Sequence, residues 1–194
     1  MTRPPRAAEA EPEIGGIILA AGEGRRFGGP KQLAQLDGRP LIEHALAAML
    51  AVPAIDPVVI VLGAHAERIQ AEADLRGAEI VVCADWAEGL SASVRCGLTA
   101  AGDADEVVIL LADQPFVSPA AIARVRAADG PAARAVYGGA PGHPVVLRRA
   151  LLERARDLQG DRGFRDLLAD ATPVECGDVA DPRDIDTPAD LDSY

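Results

Sequence analysis

The feature that most constrains the fold is the regular alternation of short, unbroken apolar segments with segments of helical periodicity. Residues 14–20, 57–62 and 106–112 are almost entirely apolar, and each has the length of a strand. Unbroken apolar runs are typical of strands in a parallel sheet, because helices bury both of its faces. We therefore predict a single α/β domain, a Rossmann-like three-layer sandwich with a mostly parallel sheet and helices on both faces.

The other elements are predicted from periodicity and from helix-start signals. Ser118 and Pro119 are typical of an N-cap followed by proline at the first helical position. Residues 1–12 mix proline, alanine and charge without periodicity, so we expect a disordered leader there and one domain over residues 13–194. Further helices are predicted at 40–50, 65–75, 89–101, 149–156 and 163–169, and further strands at 79–83, 134–137, 144–147 and 173–176.

Charge and composition exclude several classes of protein. The formal net charge is −11, and general nucleic-acid binding depends on cations that neutralise phosphates. A small anionic substrate is still compatible with this charge if its site is locally basic. No apolar run approaches the length of a membrane span, and the N-terminus lacks a signal-peptide pattern, so we expect a cytoplasmic protein. Because Cys83, Cys96 and Cys176 are scattered, we expect free thiols rather than disulfides or a zinc site.

A glycine-rich, basic loop follows the first apolar segment. Glycines allow a ligand to approach the backbone, and consecutive N–H groups can form an anion nest. The local excess of cations, in a chain of net charge −11, indicates a triphosphate or pyrophosphate site. A Walker loop is excluded because Pro30 follows Gly29, and a dinucleotide fingerprint is excluded because Phe27 occupies the third small position. The loop contains Gly22, Gly24, Gly28 and Gly29, with Arg25, Arg26 and Lys31.

Two carboxylates have positions that suit a metal ion. Asp113 directly follows the most hydrophobic segment, and the ends of parallel strands face the ligand in sheets of this kind. Asp186 lies in a turn before Pro188. Carboxylates together with substrate phosphates are the ligands that Mg²⁺ prefers. The alternatives are an Asx turn for Asp113 and a helix N-cap region for Asp186.

Six motifs, in order, resemble the signatures of the MobA-like nucleotidyltransferases. The glycine loop reads L-A-A-G-E-G-R-R-F-G-G-P-K-Q-L over residues 19–33, and D-W-A-E-G-L-S-A-S follows at 85–93. A-D-Q-P stands at 112–115, G-H-P-V at 142–145, G-D-R-G at 160–163 and D-I-D-T-P at 184–188. Within this family the chain is most similar to molybdenum cofactor cytidylyltransferases. The fold implied is that of the nucleotide-diphospho-sugar transferases.

The resemblance implies roles for residues in each motif. Asp113 and Asp186, or the neighbouring Asp184, would hold Mg²⁺. His44 is expected to be structural. Turn or helix-cap roles are the alternatives for His65, His143, Ser91 and Ser93. The implied catalytic residues are Arg25, Arg26, Lys31 and Asp113; the nucleotide-binding residues are Leu19, Ala20, Ala21, Gly22, Gly24, Arg25, Lys31, Gly63 and His65; those on the acceptor side are Ser91, Ser93, Gln114, His143 and Asp161.

The implied reaction transfers CMP from CTP to molybdopterin and releases pyrophosphate. The implied partners are these small molecules and a molybdoenzyme of the xanthine dehydrogenase type, without nucleic acid or membrane. Three alternatives stay open: a guanylyltransferase that uses GTP on molybdopterin or on a lactyl phosphate, a MobA-like NAD(P)H-dependent oxidoreductase, and a non-catalytic nucleotide-binding partner. Guanylyltransferases of the family typically carry a second glycine where this chain has Ala21, which favours CTP.

Overall fold

The computed structural model describes residues 12–157 and 160–191 of the chain. The expected leader therefore lies outside the described residues, except for Pro12. The strands are β1 (Ile14–Ala20), β2 (Gln35–Leu36), β3 (Arg39–Pro40), β4 (Val58–Leu62), β5 (Glu79–Val82), β6 (Glu106–Leu111), β7 (Ala132–Tyr137), β8 (Ala140–Arg148) and β9 (Thr172–Glu175). The α-helices are α1 (Leu41–Leu50), α2 (Ala66–Glu72), α3 (Leu90–Ala100), α4 (Pro119–Arg126), α5 (Arg149–Ala155), α6 (Gly160–Leu167) and α7 (Pro188–Leu191).

One seven-stranded sheet forms the centre of the molecule, in the order β5-β4-β1-β6-β8-β7-β9. β1 is parallel to both of its neighbours, and its Ile17 pairs with Val59 of β4 and with Ile109 of β6. β8 is antiparallel to β6 and β7, whereas β9 is parallel to β7. The prediction of a mostly parallel sheet is confirmed.

Helices cover both faces of this sheet. One face packs against α1, α2 and α4, with Ile42, Ile69 and Ile122 in its core. The other face packs against α3, α5 and α6, with Leu98 and Phe164 among its core residues. The burial of both faces explains why β1, β4 and β6 are continuously apolar, and it confirms the three-layer sandwich.

The strand order places a crevice between β1 and β6. The chain passes from β1 through α1 to β4 on one side of β1, and later returns to place β6 on its other side. The helices that follow β1 and β6, α1 and α4, lie on one face of the sheet, and α3 lies on the other. Ligands bind at such switch points, beyond the carboxyl ends of the strands. The loops after Ala20 and Leu111 therefore meet at one edge of the sheet.

Several element boundaries differ from the prediction. Pro40 is the N-cap of α1 and ends a small β2–β3 hairpin that periodicity did not predict. The turn of this hairpin is Asp37-Gly38, with φ of 51° and 76°, and this dipeptide favours a turn with two positive φ angles. α2 is shorter than predicted, whereas β8 and α6 begin earlier. The Ser118 N-cap is confirmed, since its hydroxyl accepts a hydrogen bond from Ala121 N at 3.1 Å.

The expectation of three free thiols is wrong for two of them. Cys83 follows β5 and Cys96 lies on α3, and the two form a disulfide with a Cα–Cα distance of 5.9 Å. Spacing could not reveal this pair, because packing of α3 against β5 brings the two residues together. Cys176 is a buried free cysteine. Within residues 12–157 and 160–191, no helix has the length and apolarity that a membrane span needs.

The packing of α3 yields a test of the fold. Gly97 lies where α3 crosses the sheet, and a Cβ there would be 2.7 Å from Ile17 Cγ2. We expect Gly97→Ala to lower the free energy of unfolding by about 1–3 kcal/mol, because overpacking outweighs the helix propensity of alanine. Thr99→Ala, at an exposed position of the same helix, is the control and should be close to neutral. Equal or greater stability of Gly97→Ala in urea unfolding would contradict this packing.

Candidate active site

A cleft of about 430 Å³ lies at the carboxyl ends of β1 and β6. The glycine loop forms one wall and the start of α3 forms the opposite wall. The lining residues are Leu19, Ala20, Ala21, Gly22, Gly24, Arg25, Arg26, Lys31, Gln32, Trp86, Ala87, Gly89, Leu90, Ser93, Leu111, Ala112, Asp113 and Asp186.

The glycine loop is closed by its own backbone. The N–H groups of Phe27, Gly28 and Gly29 donate to the carbonyl of Gly24 at 3.0–3.3 Å. Gly24 has a φ of 69°, and a Cβ there would be 2.0 Å from Gly29 O, so glycine is required. Those three N–H groups are therefore unavailable to an anion. In the described part of the chain, the N–H groups of residues 22–26 have no protein acceptor, and they are the donors left for a phosphate chain.

Gln32 fixes this loop to the end of β1. Its buried amide donates to Ala20 O at 2.8 Å and to Gly22 O at 2.9 Å. Its Oε1 is buried and has no partner. We did not single out Gln32 from the sequence, although it stands inside the glycine-loop motif.

Lys31 connects three distant segments of the chain. Its Nζ donates to Asp113 Oδ2 and, at 2.9 Å, to Asp186 Oδ1. Burial by itself lowers the pKa of Lys31, but the attraction of Asp113 and Asp186 outweighs it and raises the pKa above the ordinary value. Lys31 is the single lysine of the sequence, among 19 basic residues. The other 18 basic residues are arginines, so a lysine at this position is unusual for this chain.

The two carboxylates present oxygens that suit a divalent cation. Asp113 Oδ1 is buried and has no hydrogen-bond partner in the described part of the chain. Asp186 Oδ2 lies 2.8 Å from Arg26 Nη1, on the solvent side of the cleft. Among the described residues no group of three or more His, Cys, Asp or Glu could hold a metal ion. Two carboxylates completed by substrate phosphates are nevertheless the usual arrangement for Mg²⁺, so these residues fit such an ion.

The C-terminal turn holds Asp186 in place. Asp190 Oδ2 accepts from the backbone N–H groups of Asp186 and Thr187 at 2.9 and 2.7 Å, so the carboxylate of Asp186 is left to face Lys31. Gln114 Nε2 donates to Asp184 Oδ1 at 2.6 Å. Asp184 thus accepts a hydrogen bond from the Gln114 amide, whereas Asp186 is the aspartate that contacts Lys31 together with Asp113.

Gly63 and His65 do not line this cleft. They lie in a separate depression beside α2. A Cβ on Gly63 would be 2.7 Å from Trp86 Cγ, so the glycine makes room for this indole. His65 Nε2 lies 2.9 Å from Glu23 O, and the ring therefore supports the glycine loop from behind. The structure separates both residues from the others expected to bind nucleotide.

The residues expected on the acceptor side are divided. Ser93 lines the cleft, whereas Ser91 is fully buried and its Oγ has no partner. Gln114 is buried and lies outside the cleft lining. His143 lies on β8, outside the cleft lining, and the side chain of Asp161 lies outside the described part of the structure.

Trp86 is a cleft residue that carries a clear signal in the sequence. It is the one tryptophan of the chain, it belongs to the motif at 85–93, and it lines the cleft. Leu111, the last residue of β6, also lines the cleft, and its apolar type gave no sign of this role. The α3 wall is thus mostly apolar, in contrast to the charged glycine loop.

The sequence profile of the MobA-like NTP transferase domain matches residues 16–175, most of the chain. The chain belongs to the MobA-like NTP transferase family. It is accordingly an enzyme of the nucleotidyltransferase class, and enzymes of this kind typically use a divalent metal ion.

Similar proteins have names that state different activities, or none. The chain is 35% identical over 191 residues to the nicotine blue oxidoreductase of Paenarthrobacter nicotinovorans, covering 91% of this chain and 93% of that protein. It is 38% identical over 134 residues to the 2-C-methyl-D-erythritol 4-phosphate cytidylyltransferase of Cereibacter sphaeroides, covering 66% and 57%. The manganese complex of Rv0371c from Mycobacterium tuberculosis matches with a TM-score of 0.71 and 26% identity, covering 84% and 87%.

The unpartnered oxygen of Asp113 yields a prediction for the metal. We expect Asp113→Asn to retain the fold and to lower turnover by roughly 10²-fold or more, as loss of a key electrostatic group does. The measurement is pyrophosphate release at ordinary magnesium concentration. Asp103→Asn, at a position 94% exposed and remote from the cleft, is the control. Near-normal turnover in Asp113→Asn would exclude a ligand role.

The position of Lys31 yields a second prediction. We expect Lys31→Ala to weaken both binding of nucleoside triphosphate and turnover by about 10- to 100-fold, the effect of one charge-assisted hydrogen bond. Lys31→Arg should restore little, because a planar guanidinium cannot replace a point charge between two carboxylates. Since Lys31 is the single lysine, ¹⁵N-lysine labelling isolates its Nζ signal, which Mg²⁺ and triphosphate should shift. An unchanged signal, with normal pyrophosphate release in Lys31→Ala, would remove Lys31 from the site.

Proposed function

We propose that the protein is a magnesium-dependent molybdenum cofactor cytidylyltransferase, which transfers CMP from CTP to molybdopterin and releases pyrophosphate. The observation that carries the proposal is the convergence of Lys31, Asp113 and Asp186 at the open end of the β1–β6 crevice. This arrangement suits nucleotidyl transfer, which depends on positioning and charge stabilisation rather than on a covalent nucleophile.

In this proposal the glycine loop holds the triphosphate. A terminal phosphate oxygen of the acceptor attacks the α-phosphorus of CTP, and the bond from the α-phosphorus to the bridging oxygen breaks. Pyrophosphate leaves toward the N–H groups of residues 22–26. Lys31 offsets the negative charge that develops, and Arg25 or Arg26 adds a second cation at the solvent side. The two arginine side chains are 85% and 73% exposed, and their ion pairs with Glu23 and Asp186 lie at the surface, where a phosphate could replace the carboxylates.

Asp113 and Asp186 would hold Mg²⁺ through carboxylate oxygens. Such an ion would supply positive charge to the phosphate groups of the bound triphosphate. Lys31 already contacts both carboxylates, so it keeps their charge balanced and their side chains ordered before a substrate arrives.

The choice of CTP rests on Ala21 and on the relatives. Ala21 is buried in the cleft wall at the end of β1, and its carbonyl accepts from Ala64 N at 3.2 Å, which fixes the backbone there. The β-carbon of Ala21 removes space that a glycine would leave beside a purine. One relative is a cytidylyltransferase by name, which supports a pyrimidine nucleotide.

An oxidoreductase is the second candidate function. It is favoured by the 35% identity to the nicotine blue oxidoreductase over nearly the full length of both chains. The glycine loop argues against it, because Phe27 occupies the position of the third small residue in a dinucleotide-binding fingerprint. Loss of NAD(P)H absorbance with a quinone-like dye as acceptor tests this alternative. Turnover there, without pyrophosphate release from any triphosphate, would replace the first proposal.

Base preference is the sharpest test of the proposed substrate. We expect CTP to be preferred over GTP at equal concentrations with molybdopterin, by about 10- to 200-fold, the discrimination of roughly one methylene-sized group. Ala21→Gly should narrow this preference, whereas Ala87→Gly, which removes a methyl from the opposite wall, should not. The measurement is analysis of the dinucleotide products. A product that is mainly the guanine dinucleotide would contradict the cytidylyl assignment but not nucleotidyl transfer.

The remaining parts of the proposal concern location and delivery. We place the enzyme in the cytoplasm, with residues 13–194 as its transferase domain, and its product passes to a molybdoenzyme of the xanthine dehydrogenase type. Co-purification of the cytidylylated cofactor with such an enzyme, from cells that contain both proteins, tests this step.

A further inference from the structure

A basic pair lies beside the cleft, and no carboxylate among the described residues pairs with it. Arg134 is on β7 and His143 on β8. Of the partly buried arginines in residues 12–157 and 160–191, Arg134 is the one for which no carboxylate lies within salt-bridge distance. Its Nε is buried and makes no hydrogen bond. Burying part of a guanidinium without a partner costs free energy, so the pair calls for an explanation.

Both ring nitrogens of His143 are also buried, with no hydrogen-bond partner among the described residues. Burial, and secondarily the charge of Arg134, lowers the pKa of His143 to about 4, so the ring is neutral near pH 7. Desolvation lowers the pKa of Arg134 as well, but a guanidinium stays charged near pH 7. The pair therefore offers one positive charge together with one neutral ring donor.

The strand register places this pair next to the cleft. Val145 of β8 pairs with Ile109 of β6 on one side and with Arg134 of β7 on the other. Leu111, two residues beyond Ile109, lines the cleft. β7 is two strand spacings from β6, about 10 Å. Arg134 shares the α3 face of the sheet with Ala132, which packs in the core of that face.

The backbone of His143 is held in place. Tyr137 Oη donates to the carbonyl of His143 at 2.6 Å. A Cβ on Gly142 would be 2.7 Å from the Tyr137 ring, so the chain is in close contact with that ring. The backbone that carries the imidazole is thus held in place, and both ring nitrogens are buried without a partner among the described residues.

We propose that Arg134 and His143 form the oxyanion-binding end of the acceptor subsite, and that they bind a phosphate or carboxylate group of the acceptor. The inference rests on the proposed function for the existence of an acceptor, but the anion site itself follows from the two unpartnered basic groups. Arg134 supplies the charge and a forked set of donors, and His143 donates one N–H. Both are binding residues, at the end of the site opposite the triphosphate.

The first experiment observes the site without turnover. The chain contains three histidines, and in the full-length protein their ring signals can be separated by ¹³C,¹⁵N-histidine NMR. Inorganic phosphate and acetate are the probes, with sodium chloride holding ionic strength constant. We expect a saturable shift of the His143 signal with at least one anion, and no shift of His44, which contacts Leu36 O on another part of the molecule. The anion that produces the shift identifies phosphate or carboxylate.

Variants show whether Arg134 supplies the charge. Arg134→Met should abolish the His143 response, and Arg134→Lys should keep part of it. Arg149→Met, which removes an exposed arginine paired with Asp105, is the matched control and should respond as the wild type does. A His143 signal that ignores both anions, or that responds equally in Arg134→Met, would overturn the proposal. Thermal unfolding of each variant shows whether it still folds. If Arg134→Met does not fold, the His143 response of Arg134→Lys is the deciding measurement.

Kinetics provide an independent arm. We expect Arg134→Met to raise the KM for molybdopterin by about 10-fold or more and to leave the KM for CTP unchanged, because its effect is confined to the acceptor. Equal effects on both KM values would argue against an acceptor role. If wild-type protein forms no cytidine dinucleotide, the proposed function fails, whereas the NMR titration still tests the anion site.

Discussion

The parallel pairing of β1 with β6 is the constraint on which the site depends. It places the ends of two strands side by side although their first paired residues, Ile14 and Glu106, are far apart in the sequence. The residues just before them, Glu13 and Asp105, are 92 positions apart. Ala112 N donates to Leu19 O at 3.1 Å, so the pairing continues to the edge where the cleft begins. The glycine loop and Asp113 are therefore brought together by the pairing of the strands, not by the conformation of the loops.

The charges of the site are balanced within a strongly acidic molecule. Lys31 lies between two carboxylates, and Arg26 pairs with the second of them. Without a cation these aspartates would repel each other, so the lysine stabilises an arrangement that a metal ion and a triphosphate can later share. The same arrangement explains why the pKa of Lys31 is raised despite burial, since attraction by Asp113 and Asp186 exceeds the cost of desolvation.

Local patterns in the sequence predicted the parallel strands, the glycine loop and the carboxylate at the end of β6. Each of these features depends on a short run of residues. The alternation of strands and helices determines whether such a run is buried and where it lies. What could not be predicted depends on packing between distant segments: β8 runs antiparallel and brings His143 beside Arg134, and α3 brings Cys96 to Cys83. Gly63 illustrates the limit, because a Cβ there would be 2.7 Å from Trp86 Cγ. The sequence shows that the residue is a glycine, but it does not show that Trp86 packs against it.

Buried polar atoms without partners are concentrated around the cleft in the described part of the molecule. Asp113 Oδ1 and Gln32 Oε1 lie in the proposed nucleotide half, and Arg134 and His143 lie beside the proposed acceptor half. Each such atom costs about 1–3 kcal/mol in the free protein. Elsewhere buried charges are paired, as Glu106 is by two arginines, so the fold satisfies polar groups where no ligand binds. The cost is therefore localised where a substrate, by supplying the missing partners, would convert it into binding free energy.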